Sequence, residues 1–329
     1  MKNYLIPVLI LALCCCKEPN PNTVLPEKAP LKTIFGNQSN EKGLVYFSFD
    51  NGNTWKNVSS GIPQNSSIGL GGVAVSKTQI GIATKDMGVF LFSEADSLWY
   101  NIPTDKIILE GNLGAIMLYH DTIYVGTQYK GVFYSTDQGK SWTSQNSGLG
   151  DTTIRRFLIF DDILYVCTNE GFYSLGSDYD SWKLEYGQPT MQVNCATDFD
   201  HELYLATSKG IFKKDSSGEW KNILPNHSVH NISSANDQIY AMTYNALLLT
   251  SKDGMVWQKA QEGLPEDLYT FNVLTQHGIA LAGQWDGVYQ KGKSDFHWKR
   301  SSDGLPANFA VTNLISSNGT LIVTTSKGK

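Results

Sequence analysis

Apolar residues along this chain gather in short runs, and turns rich in Gly, Asp, Asn and Ser part them. The clearest stretch is MLYHDTIYVGTQYKGVFYSTDQGKSWTSQNSGLG, residues 117–150. It holds an apolar run, a polar turn, IYVGT, a loop, GVFYS, the turn TDQGKS and a strand opened by Trp142. Matching pieces are LIFDDILYVCTNEGFYSL (158–175), TDFDHELYLATSKGIFKK (197–214) and LTQHGIALAGQWDGVYQK (274–291). Short runs of β-branched and aromatic residues between such turns predict strands in a meander. A helical repeat is excluded, because no unit carries an apolar stripe of helical period over ten or more residues.

Tryptophans stand at 55, 99, 142, 182, 220, 257 and 298, so their gaps run from 37 to 44, and Trp285 alone falls off this ladder. Four short strands repeated about every 40 residues describe a β-propeller blade. The chain ends on half a unit, NLISSNGTLIVTTSKGK, and the repeats begin on the complementary half, KGLVYFSFDNGNTW. Residues 43–329 are therefore expected to form an all-β fold, a single propeller of seven four-stranded blades. Pairing of the N- and C-terminal strands would close the ring and remove edges that invite aggregation.

The start of the chain is different in character. MKNYLIPVLILALCCC has one lysine and an apolar run from Tyr4 to Leu13, too short to span a bilayer, which takes about 20 residues. It resembles a bacterial lipoprotein signal with cleavage before Cys16, and that resemblance implies an acylated Cys16 and a lipid anchor in the cell envelope. Leu11-Ala12-Leu13-Cys14 fits the same signal less well, and an ordinary cleaved signal is the alternative. Residues 17–42 hold four prolines and few large apolar side chains, which predicts a flexible tether. Beyond the signal only Cys167 and Cys195 remain. They could bridge, but two buried free thiols are the expectation. The net charge of −5 argues against a nucleic-acid partner.

SFDNGNTW (48–55) and STDQGKSW (135–142) both read Ser-x-Asp-x-Gly-x-x-Trp, at Ser48, Asp50, Gly52 and Trp55 and at Ser135, Asp137, Gly139 and Trp142. TSKDGMVW (250–257) is a near match. A carboxylate that accepts backbone N–H groups and a glycine that supplies positive φ suit a tight turn between strands. A calcium loop is the sharper reading, but it wants a glutamate at its twelfth position. Counting from Asp50 and Asp137, that position is Gly61 and Gly148, so no metal is expected.

This octet resembles the Asp-box, or BNR repeat. The likeness covers residues 43–329 and extends to sialidases, xyloglucan-cleaving glycosidases, sortilin-type receptors and photosystem II assembly factors. In those families the box lies away from the ligand face, which implies a site on the opposite rim. Sialidases grip a carboxylate with three arginines from separate blades. Here the arginines are Arg155, Arg156 and Arg300 only, two of them adjacent on one strand, so that clamp cannot be built.

On the opposite rim, aligning the inner strands puts Gly72, Ala115, Arg156, Cys195, Asn231, Asn272 and Asn313 at one position. Arg156, Asn231, Asn272 and Asn313 are candidate ligand-binding residues near the channel mouth. A polar ring satisfied by trapped water is the alternative. Trp285 and Asp286, with Tyr129 and Tyr244 in equivalent loops, form a second candidate set suited to sugars or peptide side chains. Packing of Trp285 on a neighbouring blade is the alternative there. His227 and His230 lack a third ligand fixed by spacing. The expected function is non-catalytic binding of a peptide, protein or glycan by a monomer without a cofactor. A carbohydrate-active enzyme using Asp86, Glu170 and Asp286 is the other possibility.

Overall fold

A computed structural model describes residues 43–176, 180–235 and 237–326. The signal segment with Cys16, the tether over 17–42 and residues 327–329 lie outside the described residues.

Nearly every element is a strand. One sheet joins the two ends of the described chain, in the order Lys56–Asn57, Val45–Ser48, Thr320–Thr324, Asn313–Ser317, with Val45 opposite Thr324 and Ser48 opposite Leu321. Four more four-stranded antiparallel sheets follow sequence order from their inner strands Ile154–Phe160, Val193–Phe199, Val229–Ala235 and Thr270–Gln276. The remaining sheet has eight strands. Its halves, led by Ile68–Val75 and Leu113–Tyr119, meet only in a parallel bridge between Gly71 and Ala115. The inner strands touch one another in turn, from Asn313–Ser317 through Ile68–Val75 and onward to Thr270–Gln276, which returns to Asn313–Ser317. That is a closed ring. A short helix, Lys106–Glu110, sits in the connection before Leu113 and buries Ile108; no apolar period announces it.

The core lies between sheets rather than at a single centre. Phe47 and Ile322 of the terminal sheet pack with Ile82, Phe90 and Trp99 of the next, and Cys167 and Phe172 pack with Val193 and Leu205. Second strands are covered on both faces, so Ile80–Thr84 and Thr320–Thr324 are buried throughout. This explains why they read as continuous apolar runs instead of alternating ones. Cys167 and Cys195 are both buried, free thiols.

Tryptophans fasten most of the sheets to the one before. Trp99 donates its ring N–H to the Val58 carbonyl (2.6 Å) and its backbone N–H to that of Ser60 (2.9 Å). Trp182 makes the same pair of bonds to Gln145 and Ser147, Trp298 to Ala260 and Glu262, and Trp55 to Ser301 and Asp303. A glycine with positive φ follows the second acceptor each time: Gly61, Gly148, Gly263 and Gly304. A Cβ at any of them would collide with the carbonyl oxygen of the latched tryptophan. Trp142 keeps only the ring bond, to Pro103 (2.9 Å). Trp220 and Trp257 have buried ring nitrogens without a partner among the described residues.

The Ser-x-Asp-x-Gly-x-x-Trp turns are closed by their own side chains. Asp137 accepts the Ser141 amide (2.9 Å) and hydroxyl (2.6 Å), while Ser135 donates to Asp137 (2.9 Å) and accepts from Gly139 (2.8 Å). Asp50 repeats this with Thr54, Ser48 and Gly52. The Ser141 hydroxyl and amide, aided by Ser135, hold the Asp137 carboxyl down to about 2. A carboxyl lowered in the folded state adds stability above its unfolded value near 4, and this is lost as pH falls from about 4 to about 2. Thermal melts from pH 5 to pH 2 should therefore show the wild type losing more than Asp137→Asn in that window. Parallel pH profiles would contradict the role given to this carboxylate.

Candidate functional site

Strand directions alternate within each sheet, so the starts of the inner strands share one side with the loops after the second strands. The tight Ser-x-Asp-x-Gly turns lie on the other side. Near that first side five inner strands are bulged at the same step, while Asn313–Ser317 pairs without a shift. Ile154 faces Thr168 and then Arg156 faces Cys167; Val229 faces Thr243 and then Asn231 faces Met242; Thr270 faces Gln284 and then Asn272 faces Gly283. Leu113–Tyr119 and Val193–Phe199 do likewise, before Ala115 and Cys195. In Ile68–Val75 the irregularity is longer, from Ile68 to Val73. Gly69 there abuts the Gly114 carbonyl and Gly71 abuts that of Arg155. Only glycine permits such close backbone approach.

The residue after the bulge, and Asn313 at the equivalent place, faces the next sheet. Asn231 donates to the Phe271 carbonyl (2.6 Å) and Asn272 Oδ1 (3.2 Å), Asn272 to the Thr312 carbonyl (2.9 Å), and Asn313 to the Gly69 carbonyl (2.9 Å) and Thr324 Oγ1 (2.9 Å). All three asparagines are buried. Their amides are engaged in stitching one inner strand to the next. Arg156 differs, because its guanidinium has no hydrogen bond or ion pair among the described residues, whereas Arg155 binds Asn169 Oδ1 (2.7 Å) and Arg300 binds the Asp286 carbonyl (2.6 Å). No sialidase-like clamp is assembled from this set.

In the sheets led by Val229–Ala235 and Thr270–Gln276 the bulged residue itself turns toward the rim, as bulges re-aim side chains. Phe271 meets the edge of Trp285, with ring centroids 5.1 Å apart. His230 packs against Tyr244 at 5.3 Å, Tyr269 at 5.8 Å and Phe271 at 6.5 Å. The Tyr269 hydroxyl also donates to the Tyr244 carbonyl. A continuous aromatic patch thus runs across two neighbouring sheets, with Tyr244 and Trp285 each 44% exposed at its ends. Of the residues expected at the rim, Tyr244 and Trp285 come together. Tyr129 is exposed, but no ring contact ties it to the patch. Asp286 accepts from the Tyr289 hydroxyl (2.9 Å), and burial together with this carboxylate pushes Tyr289 up to about 12. The sequence singles out His230 only as a possible metal ligand, and Tyr269 and Phe271 not as binding residues.

The Trp285 loop is tied unlike the others. Thr84, Thr127, Thr168 and Thr207 hold their loops through Oγ1 bonds to the carbonyls of Gly88, Gly131, Gly171 and Gly210. Gln284 stands at this place, donates to Thr270 Oγ1 and leaves its own Oε1 buried without a partner. His230 Nε2 is likewise buried and unpartnered. Burial, and then the nearby Arg156 charge, lower the His230 imidazole to about 4. His227 is sent elsewhere, half-buried against the Pro225 carbonyl (3.0 Å). No group of three His, Cys, Asp or Glu side chains suited to a metal occurs among the described residues.

The turn side is not featureless. A cavity of about 680 Å³ opens there between Asp198, Asp200, Asp237 and Lys252, over Phe199 and Leu274. Its carboxylates face solvent, and Asp237 pairs with Lys293 (3.3 Å).

No protein-family model and no curated protein matches this chain. Solved structures do. The extracellular domain of the hybrid two-component system BT3049 from B. thetaiotaomicron has a TM-score of 0.66 at 14% identity, over 87% of this chain and 41% of that one. The chain thus spans about two fifths of that structure's length. YCF48 bound to D1 peptide has a TM-score of 0.64 at 10% identity, over 81% of this chain and 96% of the other. The GH74 xyloglucanase from Xanthomonas campestris has 0.57 at 14%, over 75% and 46%. The chain is a β-propeller. At these identities the likeness is one of fold.

Because His230 stays neutral in the folded protein down to about pH 4, while the unfolded chain takes up its proton near pH 6.5, it lowers stability as pH falls through that window. His230→Gln should remove a pH dependence on the order of 3 kcal/mol between pH 7 and pH 4. Nuclear magnetic resonance of the ring should give a midpoint near 4, moving upward in Arg156→Ala. A midpoint near 6.5 would contradict the burial described.

Proposed function

We propose that this protein is a non-catalytic binding propeller that takes an extended peptide or a protein segment across its rim face. The observation that carries this reading is the aromatic patch from Tyr244 through His230 and Phe271 to Trp285. Rigid, half-exposed aromatic rings give large contact area at low entropic cost and are enriched at binding hot spots. Arg156, unpaired on the same side, adds a cation for a carbonyl or carboxylate of the bound segment. YCF48, which shares this fold over most of its length, is itself bound to a peptide. A glycan on Trp285 would use the same surface.

The same proposal extends to the rest of the molecule. Counting the eight-stranded sheet as two blades gives seven blades, with the Ser-x-Asp-x-Gly-x-x-Trp turns as Asp-boxes on the far side. The signal segment exports the chain, Cys16 carries the lipid and residues 17–42 tether the propeller to the envelope membrane. Among the described residues no helix is long and apolar enough to cross a membrane. Asn231, Asn272 and Asn313 support the site from below through their stitches.

Peptides selected from a random displayed library against the purified protein provide the test. Selected binders should lose about tenfold or more in affinity with Trp285→Ala or Arg156→Ala, and keep it with Lys140→Ala on the opposite side. Binders indifferent to Trp285 and Arg156 would place the site elsewhere. Turnover of xyloglucan or a sialoside, abolished by Asp86→Ala, Glu170→Ala or Asp286→Ala, would establish the enzyme instead.

A further inference from the structure

A second cavity, of about 260 Å³, lies between the sheet led by Leu113–Tyr119 and the one led by Ile154–Phe160, toward the side of the tight turns. From its residues the geometry points to a binding site for one ring of a neutral sugar, separate from the rim patch and independent of the function proposed there.

Its walls are aromatic. Tyr124 and Tyr134 stand with ring centroids 5.9 Å apart and tilted by 36°, and His120 lies on Tyr119 at 4.1 Å. Tyr119 is fixed by donating to the Asp162 carbonyl of the neighbouring sheet (2.9 Å), so this wall spans the boundary. Tyrosine offers an apolar face and a polar tip, which suits the C–H face and the hydroxyls of a pyranose.

Between these rings sit polar groups that the protein leaves unused. Gln145 is 9% exposed, and its Nε2 is held by the Asp180 carbonyl (3.2 Å), which fixes the amide plane. Gln145 Oε1 and the hydroxyls of Thr122, Thr136 and Tyr134 have no hydrogen-bond partner among the described residues. An apolar side chain seated here would strip water from these groups and return nothing, whereas sugar hydroxyls donate to and accept from all of them.

Charge and size narrow the ligand further. Among the described residues no lysine, arginine, aspartate or glutamate lines the cavity, which disfavours acidic sugars and phosphorylated ligands. The volume is below the usual range for drug-sized ligands, roughly 300–1,000 Å³, and fits a single ring with the rest of a chain outside.

Isothermal titration of the purified protein with cellotetraose, maltotetraose, chitotetraose and mannotetraose tests this. At least one should bind saturably, and Tyr134→Ala should weaken it about tenfold. Thr136→Val, which keeps the shape of an exposed turn residue, should weaken it by a smaller factor with an unchanged melting temperature. Trp285→Ala should leave it unaltered. The inference is overturned if none of the four binds below about 10 mM, if binding survives Tyr134→Ala with Thr136→Val, or if it is lost in Trp285→Ala. Saturable binding of N-acetyltryptophan amide that excludes the sugars would also overturn it.

Discussion

The structure rests on the contact between one sheet's tryptophan and the segment that leaves the sheet before it. A propeller sheet has no core of its own; its apolar surface is covered only by its neighbours. Something must therefore set the angle and register of each neighbour, and non-directional apolar packing does this poorly. The ring N–H and backbone N–H of Trp55, Trp99, Trp182 and Trp298 give two directed bonds at four of the boundaries. Buried hydrogen bonds of this kind contribute about 1 kcal/mol each, but their geometric effect is larger than their energy.

The latch is uneven, and the unevenness has compensations. Around Trp220 the ring nitrogen is orphaned, and the boundary instead carries the Lys214–Glu185 ion pair (3.0 Å), with Lys214 also over the Trp220 ring. Next to it, Asn194 donates to the Val229 carbonyl (2.8 Å). Inner-strand stitches through Asn231, Asn272 and Asn313 then continue around to Gly69. With the ring held by tryptophans outside and asparagines inside, the rim loops are released from structural work. The bulge is what joins the two levels, since it sends His230 and Phe271 outward while the next residue faces the adjacent sheet.

The fold was legible because its cause is periodic. Tryptophans about 40 residues apart, runs such as IYVGT and ELYLAT, and two copies of one turn motif announce strands, turns and repetition. The proposed site was legible only in part. Tyr244 and Trp285 stood out as aromatics in loops, but the residues that link them, His230 and Phe271, sit in strands whose bulge leaves no mark in the letters. Asparagines at 231, 272 and 313 read on sequence grounds as ligand-binding residues or a polar ring satisfied by water, and the letters do not announce that each amide meets a carbonyl within 3 Å on another sheet. Gly61 and Gly148 show the same limit. As twelfth residues they argue against calcium, yet their conformational role becomes visible only against Trp99 and Trp182.

The claim that directed latches hold the ring is tested most directly by comparing two glycines of equal conformation. Gly148 has φ of 83° and faces the Trp182 carbonyl oxygen, whereas Gly218 has φ of 86° and nothing within 4 Å. Alanine at either site meets the same backbone strain, about 1 kcal/mol or somewhat more, but only at 148 must it also displace the latch. Chemical denaturation should show Gly148→Ala losing at least about 2 kcal/mol more than Gly218→Ala. Equal losses would contradict the account.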